Sequence, residues 1–305
     1  MTDDIVVVTG VNGFVGKHLA RELQSQGVRV VGIGTDETVH PEISDIVDTY
    51  HQVDLTQSWP DLPQVKAIIH LAGLAVVGPS YENPQLYINA NSAMVTNLCE
   101  YYLKQTSKPR IIILSSGTVY DASQPMPIPE AGELNYASPY AVSKVLNENQ
   151  AKYYRNRGLD CIIARPFNHI GPGQIQGFIL PDFYERIHNT TESTITVGNI
   201  NTRRDYTDVR DIVRAHTLLA LAPKLQYDTY NVCSGRSLAG SDILAKLKIA
   251  MNRPEIKFEI DSALVRPTDI QEIVGDSSRL RNELKWEPKF TIDQTIADFI
   301  ASNNT

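Results

Sequence analysis

Five short runs of almost unbroken apolar, largely β-branched residues punctuate the first 165 positions: Ile5–Thr9, Val28–Ile33, Lys66–Leu71, Arg110–Leu114 and Asp160–Ala164. Strands without a polar face are covered on both sides, which is the condition of a parallel sheet. Between them stand stretches of helical periodicity. Phe14–Gln26 ends at Gly27, a good residue just past a helix end. Leu86–Lys104 is longer, and Pro139–Asn156 has Ser138 as N-cap and Pro139 in the first helical position. This alternation predicts an α/β fold built on a doubly wound parallel sheet. Beyond Arg165 the pattern loosens into a Gly-, Pro- and Asn-rich stretch over 166–182. A helix over 176–189, a polar loop over 190–205, a helix over 208–222, a strand over 228–233 and an extended segment over 255–260 are expected.

The first run leads into Gly10-Val11-Asn12-Gly13-Phe14-Val15-Gly16 and then a helix. Glycines at this spacing permit a tight turn, a close approach of backbone to a pyrophosphate, and close packing of helix on sheet. The helix N-terminus adds free N–H groups and a positive dipole end. Gly10, Gly13, Phe14, Val15 and Gly16 are therefore candidate dinucleotide contacts. An acidic residue at the end of the second strand commonly holds the adenosine ribose. That position is Gly34 here, and Asp36, two residues later, is the candidate in its place. No Lys or Arg stands there to meet a 2′-phosphate, which favours NAD over NADP. Asp54 and Leu55 either contact the adenine or form a plain turn.

The bulk properties exclude several classes. A chain of 305 residues with 42% hydrophobic content buries a substantial core. A formal net charge of -7 argues against nucleic acid or an anionic membrane as partner. The opening residues MTDDIVVVTG lack the basic region of a secretory signal, and no stretch reaches the roughly 20 apolar residues of a membrane span. Cys99, Cys161 and Cys233 are widely spaced and form no CxxC pair, so buried thiols of a reducing cytoplasm are expected, with no metal site.

Tyr140 and Lys144 are four residues apart on the third helical stretch and share one face. The pair opens the helix that follows a strand ending Leu114-Ser115-Ser116-Gly117-Thr118. Reduction of a ketone needs a hydride on carbon and a proton on oxygen. A tyrosine can supply the proton, and a neighbouring ammonium is expected to lower its pKa toward working pH. Lys144 can also hydrogen-bond the nicotinamide ribose, and Ser116 can orient the carbonyl and stabilise its developing charge.

These segments together resemble the extended short-chain dehydrogenase/reductases, the NAD-dependent epimerase/dehydratase family. The matching pieces are TGxxGxxG at Thr9–Gly16, HLAG at His70–Gly73, SSxxVY at Ser115–Tyr120, and YxxxK at Tyr140 and Lys144. Arg165-Pro166-Phe167-Asn168-His169-Ile170-Gly171-Pro172-Gly173-Gln174 is similar to a segment of the GDP-mannose dehydratase and GDP-4-keto-6-deoxymannose reductase branch. Gly177–Ile179, Val197–Asn199, Arg204–Asp211 and Arg266–Asp269 extend the likeness. Departures are Asp121 where Gly is usual after Tyr120, and Asn91–Val95, which keeps the Asn of the usual NVxGT.

The resemblance implies a Rossmann domain over 1–168 and 206–236. It also implies a smaller, discontinuous C-terminal substrate-binding domain over 169–205 and 237–305. Leu71, Ala72 and Gly73 would join Tyr140 and Lys144 on the cofactor, NAD or NADP. Ser116, Thr118, Tyr140, Asn168, Phe178, Arg204 and Arg266 would contact a nucleoside-diphosphate sugar, the arginines offering planar donor forks to its phosphates. His169 is expected as a packed histidine without a chemical role. The long helices near 86–104 and 139–156 would pair with their copies in a homodimer. Sugar-nucleotide dehydratases of the superfamily carry an acid in the serine turn, where this chain has Gly117 and Thr118. Reduction of a 4-keto-6-deoxy sugar nucleotide is therefore expected, with 4-epimerisation as the alternative.

Overall fold

The computed structural model describes residues 4–261 and 270–303. Its strands are β1 (Ile5–Thr9), β2 (Arg29–Gly34), β3 (Val47–Gln52), β4 (Ala67–His70), β5 (Arg110–Leu114), β6 (Asp160–Pro166), β7 (Asn168–Ile170), β8 (Thr194–Val197), β9 (Arg203–Asp208), β10 (Thr229–Val232), β11 (Ser237–Ala239), β12 (Lys257–Ile260) and β13 (Glu272–Ile273). The helices are α1 (Phe14–Ser25), α2 (Val77–Glu82), α3 (Pro84–Leu103), α4 (Pro139–Asn156), α5 (Ile179–Asn189), α6 (Val209–Leu221), α7 (Gly240–Ala250), α8 (Ser278–Leu284) and α9 (Ile292–Asn303). Among the described residues, no helix is long and apolar enough to cross a membrane.

The expected doubly wound sheet is present. Seven parallel strands run in the order β10-β6-β5-β4-β1-β2-β3. The unbroken apolar runs divide residue by residue between its two faces, because successive side chains of a strand point to opposite sides. Val6, Val8, Ile112 and Ile162 pack with α1 and α6, while Val7, Ile68, Ile111 and Ile113 pack with α3 and α4. Strand order reverses between β1 and β4, so their C-terminal ends open the crevice in which such sheets hold ligands. All three cysteines are buried free thiols.

A third core lies outside this sheet. It gathers Leu180, Phe183 and Ile187 of α5, Ile243, Leu244 and Leu247 of α7, and Ile296 and Phe299 of α9. Beside it, β9 pairs with β7, β11 and β13, and β8 pairs with β12. The stretch 190–205, expected as a polar loop, therefore contains β8 and the start of β9. Both are short and find partners remote in sequence, although Thr-Ile-Thr-Val of β8 alternates as a half-buried strand does. The edge strand β3, Val-Asp-Thr-Tyr-His-Gln, likewise lacks an apolar run because much of it faces solvent.

One stretch departs from the expected division. Residues 237–305 were all expected in the smaller domain, yet Leu280 of α8 and Trp286 belong to the core on the α1 and α6 face of the large sheet. Trp286 is fully buried, and its indole donates to the Asp211 carbonyl at 3.0 Å. Trp286→Ala should cost about 3–5 kcal/mol in equilibrium denaturant unfolding. A cost under about 1 kcal/mol would mean that this segment is an appendage rather than part of the core.

Candidate active site

The glycine loop is shaped by close backbone contact. Gly10 has φ +67, and a Cβ there would lie 3.1 Å from the Ala72 nitrogen. A Cβ on Gly16 would lie 2.3 Å from the Gly10 carbonyl oxygen and 2.5 Å from that of Val11. The loop is tied to the end of β2 by Gly10 N–H, which donates to the Ile33 carbonyl at 2.7 Å. No side chain caps α1, so the N–H groups of its first turn, from Phe14, Val15 and Gly16, face the crevice without a side-chain acceptor. The floor is set by Thr9, which accepts from Ala72 N–H at 3.0 Å and shares a hydrogen bond with His70 Nδ1 at 2.9 Å. Burial and the nearby Lys144 hold the His70 pKa down to about 3, so the ring is neutral. A backbone cradle that admits no extra carbon and an uncapped helix end fit a dinucleotide pyrophosphate.

At the β2 end Gly34 stands where an acid is common, close to the tip of Tyr50. A Cβ on Gly34 would sit 2.7 Å from the Tyr50 hydroxyl, which donates to the Asp36 carbonyl at 2.9 Å. Asp36 itself is bound to the glycine loop, since Asn12 Nδ2 donates to its Oδ2 at 2.8 Å. Asp54 forms a turn, its Oδ1 accepting from Thr56 N–H at 2.9 Å and Thr56 Oγ1 at 2.7 Å. Leu55 is 3% exposed and belongs to the α3-side core, with its carbonyl taken by Asn97 at 2.9 Å.

Strand β5 and helix α4 bring Ser116, Thr118, Tyr140 and Lys144 together. Ser138 caps α4 as expected, accepting from Ala141 N–H at 3.1 Å. Ser116 caps the short turn Gly117–Val119 and accepts from Thr118 N–H at 3.2 Å and Thr118 Oγ1 at 2.9 Å. Its hydroxyl is near enough to the Tyr140 phenol to pull that pKa down. Lys144 Nζ donates to the Leu114 carbonyl at 3.0 Å and stands 5.8 Å from the centre of the Tyr140 ring. Gly117 is required by packing, because a Cβ there would lie 2.7 Å from Cγ of Phe167.

The expected electrostatic pairing is corrected here. Burial pushes the Tyr140 phenol up to about 12, with Ser116 pulling the other way. Burial also pushes the Lys144 ammonium down to about 8. Burial outweighs the pull of the Lys144 ammonium, which sits on a backbone carbonyl and against the ring face.

Asn168, Phe178 and Arg204 form a second group, lining a cavity of about 470 Å³. Gln174, Asn199 and Tyr206 line it too and escaped the sequence reading of site residues. Arg204 Nη1 donates to the Arg203 carbonyl at 2.9 Å and the Ile270 carbonyl at 2.7 Å. Arg266 lies outside the described residues. Across the cavity is the segment Ala75–Gly78, next to Leu74. Leu74 N–H donates to Asn91 Oδ1 at 2.8 Å, and Asn91 Nδ2 donates to Ser143 Oγ of α4 at 2.9 Å. Asn91 thus links the cavity wall to the helix that carries Tyr140. His169 stacks on Phe14 with centroids 6.2 Å apart, and burial lowers its pKa.

Gly16→Ala should weaken dinucleotide binding by roughly tenfold or more, since overpacking costs about 1–3 kcal/mol. Titration followed by reduced-nicotinamide fluorescence measures this, and unchanged affinity would contradict the cradle.

The comparisons with known proteins agree with this geometry. The model of the NAD dependent epimerase/dehydratase family matches residues 6–233. The chain is 30% identical over 296 residues to GDP-6-deoxy-D-mannose reductase of Pseudomonas aeruginosa, covering 95% of this chain and 93% of that one. It is 26% identical to UDP-glucose 4-epimerase GEPI48 of Cyamopsis tetragonoloba, covering 98% and 94% of the two chains. The structure of RMD from Pseudomonas aeruginosa complexed with NADPH superposes with a TM-score of 0.83 at 28% identity, covering 99% of this chain and 100% of that chain. The similar Pseudomonas structure carries NADPH, and the chain belongs to the NAD dependent epimerase/dehydratase family.

Proposed function

We propose that the protein reduces the C4 ketone of a nucleoside-diphosphate 4-keto-6-deoxy sugar, as a GDP-4-keto-6-deoxy-D-mannose reductase does. The observation that carries this is the Tyr140 phenol. It is buried beside Lys144 on α4, stays protonated up to about 12, and faces the influence of Ser116 in a turn that holds no acid. A protonated phenol is a proton donor, which reduction needs and dehydration cannot use alone. The likeness to the Pseudomonas reductase over nearly the whole chain supports the same reading.

The bound dinucleotide supplies the hydride. The backbone of Gly10–Gly16 would hold its pyrophosphate, and Asp36, fixed by Asn12, would meet the adenosine ribose. Leu71, Ala72 and Gly73 would line its path, and Lys144 would hold the nicotinamide ribose. Asn168, Phe178 and Arg204 would bind the sugar nucleotide, Arg204 serving its phosphates. Ser116 and Thr118 orient the ketone oxygen, and Tyr140 gives it a proton. The Lys144 charge then stabilises the phenolate left behind. We assign the protein to the cytoplasm, as a homodimer joined through the outer faces of α3 and α4, where Leu86 and Tyr153 are exposed.

A second reading, a 4-epimerase that recycles a tightly held cofactor, rests on the likeness to UDP-glucose 4-epimerase. Cofactor stoichiometry separates the two. Incubation with GDP-4-keto-6-deoxy-D-mannose should oxidise one NADH or NADPH per sugar reduced, and Tyr140→Phe should lower kcat by about 10²–10⁴-fold. Product formation without net cofactor oxidation would favour the epimerase, and an active Tyr140→Phe would remove the phenol from the chemistry.

The pH dependence has a definite sign. Lys144 is cationic below about 8 and loses its proton above, while Tyr140 keeps its proton up to about 12. The rate of reduction should therefore be level on the acid side and fall as pH rises through about 8. In Lys144→Met the rate should be low and lack that fall. A wild-type profile flat to pH 10 would contradict the assignment.

A further inference from the structure

One buried ion pair ties down the serine turn at both ends. Glu148 of α4 is fully buried and Arg165 of β6 is 4% exposed. Arg165 Nε and Nη2 donate to the two carboxylate oxygens of Glu148, each at 2.7 Å. At the start of the turn, Ser115 Oγ donates to Glu148 Oε1 at 2.6 Å. At its end, Arg165 Nη1 donates to the Tyr120 hydroxyl at 2.6 Å, with the guanidinium 4.8 Å from the ring centre. The Tyr120 hydroxyl in turn donates to Asn231 Oδ1 at 2.6 Å.

The placement links this pair to the reacting groups. Glu148 follows Lys144 by four residues and Tyr140 by eight, so all three project from one side of α4. Ser115 and Ser116 are neighbours where β5 runs out, and Ser116 has extended backbone, φ -159 and ψ 150. Side chains alternate along extended backbone. Ser115 therefore turns down to the carboxylate while Ser116 turns up to the phenol. A buried ion pair is a weak source of stability against a well-packed apolar pair, but its fork of donors fixes direction. Neither Glu148 nor Arg165 lines the sugar cavity.

We propose that Glu148 and Arg165 are positioning residues that hold the turn Ser115–Tyr120 against α4, so that Ser116 and Thr118 meet the Tyr140 phenol in a single geometry. This rests on Ser116 and Tyr140 being the reacting pair. The pair acts through Ser115 and Tyr120, which makes it testable without leaving a charge unpaired in the core. Ser115→Ala and Tyr120→Phe each remove one tie, and Ser115→Thr returns a hydroxyl.

The test uses the dinucleotide-loaded protein labelled with 13Cζ-tyrosine, the Tyr140 resonance being assigned by its loss in Tyr140→Phe. Ser115→Ala and Tyr120→Phe should each shift or broaden that resonance. Each should lower kcat for GDP-4-keto-6-deoxy-D-mannose by roughly tenfold while KM and dinucleotide affinity stay within about twofold. Ser115→Thr should recover both signals. A wild-type Tyr140 resonance in both variants would overturn the proposal. So would a kcat loss that merely follows lost dinucleotide affinity or lost fold. If the wild type turns over no 4-keto sugar nucleotide, the functional reading fails on its own, and the resonance still decides whether the ties position the phenol.

Discussion

The Lys144 ammonium fastens the helix that carries the reacting phenol to the end of a central strand. Lys144 Nζ donates to the Leu114 carbonyl at 3.0 Å, at the point where β5 gives way to the serine turn. The contact is possible because α4 docks closely on the sheet, with Ala151 and Tyr154 in the core below. The same docking strips water from the phenol and the ammonium. Each is thereby driven toward its neutral form, which raises one pKa and lowers the other. A protonated acid beside a cation ready to receive its conjugate base suits proton delivery to a carbonyl oxygen. The chemistry is in this sense a consequence of burial.

The crevice follows from topology and from glycines. Strand order reverses beside β1, and the loop from β1 into α1 fits only because Gly10 and Gly16 carry no Cβ where backbone lies against backbone. The adenosine end shows how one side chain redirects another. Position 34 offers no side chain beside Tyr50, and Asn12 of the glycine loop holds Asp36 nearby. Asn91 does similar work on the sugar side by fixing the wall of the cavity to α4.

Much of this was legible in the sequence, and for stated reasons. The limits of β1, β5 and α4 were read to the residue because unbroken β-branched runs and a Ser-Pro cap are local signals. Ser116, Tyr140 and Lys144 were read from position, and the fold brings them together. What escaped depends on tertiary contact. Strands β8 and β9 are short and pair with segments remote in sequence, and Trp286 returns to the large sheet from a segment that reads as part of the other core. The helical period from Tyr140 through Lys144 to Glu148 put a carboxylate on a buried face, but its partner Arg165 is visible only once β6 is beside α4. The effect of Lys144 on Tyr140 was misjudged because Coulomb attraction was weighed without the desolvation of the phenol.

The central claim is that this buried phenol and the bound dinucleotide together deliver a proton and a hydride to one carbonyl. Nicotinamide deuterated at C4 tests it most directly, with the sugar product examined by mass spectrometry and NMR. The account predicts a single deuterium at C4 of the reduced sugar, in step with oxidised cofactor. Unlabelled product, or deuterium at any other carbon, would contradict it.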